Sequence, residues 1–350
     1  MDVIVSFLTV ALVRCVAMPT LIYTANTLML LMFALTSVIA KIDTTDWPGN
    51  TVFLITEVSF CIMCGSGALF INTMWAITSS LDTAYTDAFL IGMTLAGIIA
   101  SVLNIVTLSI PGIDFVGAGF WYFLTATILL TISLGLFVYF HINIYNHKYA
   151  PIKSGNDSDV PSTPSVSPPP KAKSMMALTK EAGTYLYTAF MILFATFVMF
   201  PGVLATTESS AINQDSIWVT KYFKPVSIFL TFNIGDFVGR LLACKWDFPS
   251  PTLIPWYSTS RLGFAVLFMM CNLQPRSLPV WFPNDILFTI FIFLFAMING
   301  QSLTLALRYA PEIGKETADK ATIGTLMGFA GAIGRISGSL MTYLVLMIVR

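Results

Sequence analysis

Residues 226–243 read VSIFLTFNIGDFVGRLLA, an apolar stretch long enough to lie within a membrane. The stretch nevertheless contains Asp236 and Arg240, which are four residues apart and therefore share one face of a helix. A charge at the centre of a bilayer costs about 2.5–3.5 kcal/mol on insertion scales, so such residues usually contact a partner, a water-filled cavity or a solute. The stretch predicts a membrane helix that carries a polar site.

The composition of the whole chain indicates the same environment. Of its 350 residues, 56% are hydrophobic and only 10% are charged, and the mean hydropathy is +0.79. A soluble protein of this length needs more charge to cover its surface. The predicted fold class is therefore all-α, a polytopic membrane helix bundle in a lipid bilayer.

The sequence also excludes several classes of protein. The formal net charge is zero, so nucleic acid is not expected as a partner. Two histidines and five cysteines form no metal-binding pattern, and neither a nucleophile elbow nor a phosphate-binding loop is present. We expect neither an enzyme nor a metal or other cofactor, and the sequence indicates no obligate protein partner.

Apolar segments divide the chain. After a short apolar run at residues 3–13, nine segments approach or exceed the length that spans a bilayer. Glycine, proline, asparagine or charged residues separate them. The predicted spans are 17–40, 52–78, 86–109, 117–142, 184–206, 222–244, 255–273, 284–307 and 321–349.

One long polar stretch interrupts this pattern. Residues 143–183 include SGNDSDVPSTPSVSPPPKAKS, which is rich in serine and proline and lacks aromatic residues. Such a segment cannot bury enough apolar surface to offset its ordering entropy, so we predict a disordered linker. It separates an N-terminal helical half, residues 1–142, from a C-terminal half, residues 184–350.

The basic residues predict the orientation of the chain in the membrane. With strict alternation of the spans, the linker's side receives Arg14, Lys148, Lys153, Lys171, Lys173, Lys180, Lys245, Arg261, Arg308, Lys315 and Lys320, whereas the opposite side receives Lys41, Lys221, Lys224, Arg276 and Arg350. Basic loops favour the cytoplasm, so the linker is predicted to be cytoplasmic. We expect a multi-pass protein of the plasma membrane, with an endosomal or lysosomal membrane as the alternative.

The candidate substrate-binding residues are Asp236, Arg240, Asn233 and Asn72. Asn233 precedes Asp236 by three residues and so lies on the same helix face. In one interpretation Asp236 and Arg240 form an ion pair that only locks helices together. In the other, Asp236 accepts hydrogen bonds from solute hydroxyls while Arg240 neutralises it and donates. Asn72 similarly fits either an interhelical hydrogen bond or a role in a cavity.

A second set of residues is predicted to serve packing and gating. Pro201 interrupts a span and would kink it, or act as a hinge. Glycines crowd the last span at spacings that let helices approach closely. Arg335 lies among these glycines and could face the cavity, reach the interface or pair with an acid. The predicted gating and packing residues are Pro201, Asn299, Gly324, Gly328 and Gly331.

Several motifs together resemble the equilibrative nucleoside transporter family. FNIGDFVGR at 232–240 resembles the signature of the family's eighth helix. FPGV at 200–203 resembles its seventh-helix motif, and the NG pair at 299–300 resembles part of its tenth helix. In the N-terminal half the match is looser and rests on GSGALF at 65–70 and the segment from Gly92 to Gly97.

This resemblance implies a major-facilitator-like architecture of eleven helices, six before a cytoplasmic loop and five after it. It also implies facilitative transport of nucleosides by alternating access. Asp236 and Arg240 would contact the ribose hydroxyls, and Asn72 would stand where many members have a base-contacting glutamine. The family's first helix and most of its second have no counterpart here, so we expect a truncated chain that transports poorly.

Two alternatives stay open at this point. An acid in the cavity would also suit a carrier of nucleobases or of a small cationic amine. The chain could also be a truncated, non-transporting isoform whose Asp236–Arg240 pair is structural.

Overall fold

Five helices form the N-terminal half in the computed structural model, which describes residues 2–42, 47–112, 115–145 and 173–350. The last of these helices continues into a π-helical turn at His141–Tyr145. The helices are α1 (Asp2–Cys15), α2 (Met18–Ile39), α3 (Gly49–Ser79), α4 (Thr83–Ser109) and α5 (Phe115–Phe140).

Seven helices follow after residue 172. Two π-helical turns, Trp218–Tyr222 and Lys224–Leu230, lead into the helix that carries Asp236 and Arg240. The helices are α6 (Met175–Glu181), α7 (Gly183–Met199), α8 (Thr231–Lys245), α9 (Ile254–Thr259), α10 (Leu262–Met269), α11 (Asp285–Tyr309) and α12 (Thr317–Val349).

The predicted all-α membrane fold is confirmed. Within the described residues there are eight helical segments long and apolar enough to cross a membrane, and no strand beyond two isolated bridges. Large apolar side chains such as Phe53, Leu136, Tyr343 and Met347 lie on the outer surface. A soluble protein rarely exposes apolar surface on this scale, whereas lipid covers it in a membrane. The chain is an integral, multi-pass membrane protein.

The predicted span at 255–273 is wrong as a single helix. It consists of α9 and α10, and the turn between them is tightened by bonds that span only three residues, from the N–H of Gly263 to the carbonyl of Ser260 and from that of Phe264 to Arg261. Arg261 lies at this break and is fully buried. It is therefore not a loop residue, and ten rather than eleven basic residues remain on the linker's side.

The C-terminal boundary of the predicted linker is also wrong. Helix α6 occupies part of residues 143–183, because the hydroxyl of Ser174 caps the helix by accepting from the N–H of Ala177, and Leu178 is buried against the bundle. Residues 146–172, which include most of the serine- and proline-rich sequence, lie outside the described residues. The division into two halves joined by a linker stays a prediction.

Pro201 ends a helix rather than kinking one. Helix α7 ends at Met199, Phe200 is extended, and a short 3-10 turn follows at Leu204–Thr206. Proline has no N–H to continue the α-helical bonding, which explains the end of the helix here.

Helix α12 packs against both halves of the chain through its glycines. A side chain at Gly324 would collide with the carbonyl of Trp75 on α3, and one at Gly328 would collide with Asn72. Further along, Gly331 lies against Leu193 of α7. Small residues allow this close approach of membrane helices. The structure thus places the predicted glycines at contacts with α3 and α7.

A layer of polar side chains separates two apolar clusters in the C-terminal half. On α11, the first cluster includes Phe288 and Phe295 and the second includes Leu303 and Leu307, with Asn299 between them. Along α8 the two clusters follow in the same order, and along α7 they follow in the reverse order. The functional candidates therefore lie deep in the bundle, away from both helix ends.

Candidate functional site

Three glycines bring α8 and α11 into contact at the polar layer. A side chain at Gly239 would collide with the carbonyl of Met297, and one at Gly300 would collide with the carbonyl of Asp236. A side chain at Gly235 would likewise collide with the carbonyl of Phe293. Because the two backbones approach so closely, the short side chains of Asp236 and of Asn299, the residue before Gly300, can meet between the helices.

Asp236 is held by two partners. The Nε and Nη2 atoms of Arg240 donate to its Oδ2 atom at 3.1 and 3.0 Å, and Nδ2 of Asn299 donates to its Oδ1 atom at 2.6 Å. Asp236 is 5% exposed and Arg240 is 3% exposed. Asn299, predicted only as a gating or packing residue, therefore belongs to the Asp236–Arg240 site.

The site extends further than the sequence indicated. Thr196 on α7 donates to Oδ1 of Asn299 at 2.9 Å, and Nη2 of Arg261 donates to the Thr196 hydroxyl at 2.9 Å. Neither Thr196 nor Arg261 was a candidate. The signal for Arg261 was available, because it interrupts an apolar segment just as Asp236 does. Thr196 gave no signal, since threonine is common in membrane helices.

Unused hydrogen-bonding capacity remains in this cluster. The Nη1 atom of Arg240 is buried and has no hydrogen-bond partner. Oδ2 of Asp236 accepts two bonds, whereas Oδ1 accepts one, so one lone pair of Oδ1 stays open. A buried donor without a partner costs free energy, about 1–3 kcal/mol and more for a charged group. A solute that both accepts and donates would satisfy the open donor and the open acceptor together.

Asn233 faces a different helix. Its Nδ2 atom donates to the Ser101 hydroxyl of α4 and to the Phe229 carbonyl, each at 3.0 Å, and its side chain lies against Gly97. It therefore joins the C-terminal half to the N-terminal half, one helical turn from Asp236 and without a hydrogen bond to it.

Asn72 lies at another interface. Its Nδ2 atom donates to the Ser6 hydroxyl at 2.8 Å, its Oδ1 atom is buried without a hydrogen bond, and its side chain lies against Gly328. These contacts join α1, α3 and α12. The structure thus brings Asp236, Arg240 and Asn299 together but not Asn72, whose predicted contact with a base stays a prediction. Arg335 is half-buried on α12.

A second charged cluster connects the two halves near the ends of the helices. Nη2 of Arg308, at the end of α11, lies 2.6 Å from Oδ2 of Asp87 on α4. Its Nη1 atom contacts Asp247 at 3.1 Å and the Ala243 carbonyl at 3.0 Å. Arg308 therefore fastens the end of α4 to the ends of α8 and α11.

The fold and the buried charged site make this chain a multi-pass helical membrane protein of the class that includes carriers of small solutes. A family model described as nucleoside transporter matches residues 57–347, and the chain belongs to that family. This is a family of transporters and not of enzymes, and the predicted resemblance is confirmed.

Individual relatives agree with this assignment. Equilibrative nucleoside transporter 3 of Rattus norvegicus is 28% identical over 326 residues, which cover 89% of this chain and 68% of the relative. Equilibrative nucleoside transporter 1 of Homo sapiens is 29% identical over 340 residues, covering 90% and 73%. Equilibrative nucleoside transporter 2 of Homo sapiens is 26% identical over 353 residues, covering 90% and 76%.

Proposed function

We propose that this chain carries nucleosides across a membrane down their concentration gradient, with Asp236 and Arg240 binding the ribose. The family assignment and the names of the relatives support the substrate class and the facilitative mode. The observation that carries the site is the buried pair itself, in which one acceptor of Asp236 and one donor of Arg240 remain unused.

The two hydroxyls of ribose match these unused positions. Each hydroxyl both donates and accepts a hydrogen bond. One can donate to Oδ1 of Asp236 while its neighbour accepts from Nη1 of Arg240. A hydrogen bond to a charged group contributes roughly 1.5–3 kcal/mol, so two of them suit a carrier that must also release its solute.

The geometry favours a neutral solute over a cationic amine. Arg240 already neutralises Asp236, and Asn299 donates a further bond to the carboxylate. An ammonium group would therefore meet a guanidinium at short range, and like charges repel. If the ion pair only held helices together, the same contact between Asp236 and Arg240 would be present. The unused donor of Arg240 would then have no function.

We further propose the plasma membrane as the location, with the linker's end of the bundle in the cytoplasm. Ten basic residues on the linker's side against five on the other support this orientation after the correction for Arg261. An endosomal or lysosomal membrane is the alternative, and microscopy of the tagged chain distinguishes them.

Uptake into proteoliposomes tests the proposed function. The purified 350-residue chain should take up labelled adenosine and uridine in a saturable manner, at the low rate expected from the sequence, and an internal load of unlabelled uridine should accelerate entry of labelled uridine. Vesicles without protein provide the background. Uptake that does not exceed this background for either nucleoside would refute the proposal.

Competition by sugar-modified nucleosides tests the ribose contact. We expect 2′,3′-dideoxyuridine to inhibit uridine uptake at least about tenfold less well than 2′-deoxyuridine or uridine, because it can make neither charge-assisted bond. Adenine and a small amine serve as the competing substrate classes. Equal inhibition by the dideoxynucleoside would exclude recognition through the two hydroxyls.

In alternating access, the solute site opens to one side of the membrane at a time. Arg308 offers a test of the change between these two states. We propose that its bridge from Asp87 to α8 and α11 holds the predicted cytoplasmic end closed. Breaking the bridge should favour opening at this end. Cys244 is a native reporter, since it lies on α8 beside Ala243, whose carbonyl accepts from Arg308.

The test uses a chain whose other four cysteines are replaced, with a membrane-impermeant maleimide applied to the predicted cytoplasmic face. In this chain Arg308→Gln should make Cys244 react several-fold faster. Lys245→Gln, next to the thiol and exposed, controls for the local change in charge. An Arg308→Gln labelling rate no higher than that of the control would contradict the role of this bridge.

A further inference from the structure

Arg261 is a fully buried charged residue of the C-terminal half. It is 0% exposed, and none of the ion pairs in the described residues includes it. Its guanidinium packs over the ring of Phe295 at 4.2 Å from the ring centre, and its Nε atom has no hydrogen-bond partner. Burying a charge is costly unless it is paired or hydrogen-bonded, so Arg261 depends on the hydrogen bonds of its remaining nitrogens.

The two remaining nitrogens of Arg261 control one hydroxyl. Nη1 donates to the carbonyl of Ile192 at 2.6 Å, and Nη2 donates to Oγ1 of Thr196 at 2.9 Å. The Thr196 hydroxyl has a single hydrogen, which could point to the same Ile192 carbonyl at 2.8 Å or to Asn299 at 2.9 Å. The two lone pairs of that carbonyl already accept from Nη1 of Arg261 and from the helical N–H of Thr196, so the hydrogen is assigned to Asn299.

The direction of this hydrogen fixes the amide of Asn299. An amide oxygen that accepts from Thr196 leaves the amide nitrogen facing Oδ1 of Asp236, which it contacts at 2.6 Å. The opposite amide orientation would place an amide oxygen against the carboxylate oxygen, with no hydrogen between them. The carboxylate is therefore held on one side by Asn299 and on the other by Arg240.

We infer that Arg261 is a positioning residue for the solute site, acting through Thr196 and Asn299 on Asp236. This inference rests on the proposed function. Arg261 itself does not touch the solute. It orients Asn299 so that the amide nitrogen donates to Oδ1 of Asp236. This contact holds the carboxylate in one orientation, so that the second lone pair of Oδ1 points in a defined direction and can accept from a ribose hydroxyl.

Substitutions along this chain of contacts test the inference. Thr196→Val keeps the shape of the side chain but removes the hydroxyl, and Arg261→Gln removes the guanidinium group. Each should raise the KM for uridine about fivefold, the effect of one lost hydrogen bond, and should weaken the preference for uridine over 2′,3′-dideoxyuridine. Thr196→Ser should restore both properties. Thr188→Val is the matched control, since Thr188 is buried on the same helix but bonds only to the Thr184 carbonyl.

The double variant separates positioning from simple support of the fold. If Arg261 acts through Thr196, combining Arg261→Gln with Thr196→Val should raise KM no more than one substitution does, because both break the same chain of contacts. Additive effects on KM would overturn the inference, as would an unchanged KM and unchanged sugar preference in Thr196→Val. If Arg261→Gln does not fold, the KM and the sugar preference of Thr196→Val alone decide the test. Absence of uptake by the unmodified chain would instead overturn the proposed function, and this inference with it.

Discussion

Replacing Asp236 with asparagine is expected to reduce uridine uptake by roughly 10- to 150-fold, the loss of one charge-assisted hydrogen bond to the solute. The substitution preserves the shape of the side chain but leaves Arg240 buried without its counter-charge. Removing one partner of a buried pair costs about 3–5 kcal/mol of stability. Initial rates of uptake should therefore be normalised to the amount of folded protein in the vesicles.

Two further variants separate binding from stability. Asp236→Asn combined with Arg240→Gln removes both charges, so it should recover stability without recovering transport. Asp215→Asn controls for a lost carboxylate elsewhere in the C-terminal half, since Asp215 is exposed and lies outside both charged clusters. We expect its uptake to stay near that of the unmodified chain.

Exchanging the two charges distinguishes the solute site from a helix lock. In Asp236→Arg combined with Arg240→Asp the ion pair can re-form on the same helix face, but Asn299 then faces a guanidinium and has no carboxylate to bind. A solute site should lose transport in this variant. Near-normal uptake would mean that the pair only packs, and the proposed ribose contact would then be wrong.

The sequence predicted the parts of this site that lie on a single helix. The i, i+4 spacing of Asp236 and Arg240 was enough to place them on one face, and the structure joins them at 3.0 Å. Helical spacing contains no information about neighbouring helices. The contact between Asn299 and Asp236 depends on Gly235, Gly239 and Gly300 across an interface, and so it was missed.

The same limit explains the predictions for the two other asparagines. A polar residue at membrane depth indicates that a partner exists, but it does not say which helix supplies it. The structure supplies Ser101 of α4 for Asn233 and Ser6 of α1 for Asn72. The prediction of one continuous helix at 255–273 was wrong for a related reason, because the partners of Arg261 lie on another helix. Arg261 binds the Ile192 carbonyl and the Thr196 hydroxyl of α7 at the position where its own helix is interrupted.

The closeness of α8 and α11 leads to the second large effect. Gly300→Ala should destabilise the protein and abolish most uptake, because the added methyl group would collide with the carbonyl of Asp236 and lie 3.0 Å from its Oδ1 atom. Overpacking of this kind costs typically about 1–3 kcal/mol. The helices must separate to relieve it, which moves Asn299 away from the carboxylate. Thermal unfolding in detergent and uridine uptake measure the two effects.

Gly263→Ala is the matched control, because a methyl group at this position of α10 meets no atom within 4 Å. Alanine in place of a helical glycine should then stabilise the protein, by about 0.4–1 kcal/mol. The two substitutions make the same chemical change and should shift the unfolding temperature in opposite directions. If Gly300→Ala also raised the unfolding temperature and kept transport, the contact between α8 and α11 could not be what holds Asn299 against Asp236, and the site would need another explanation.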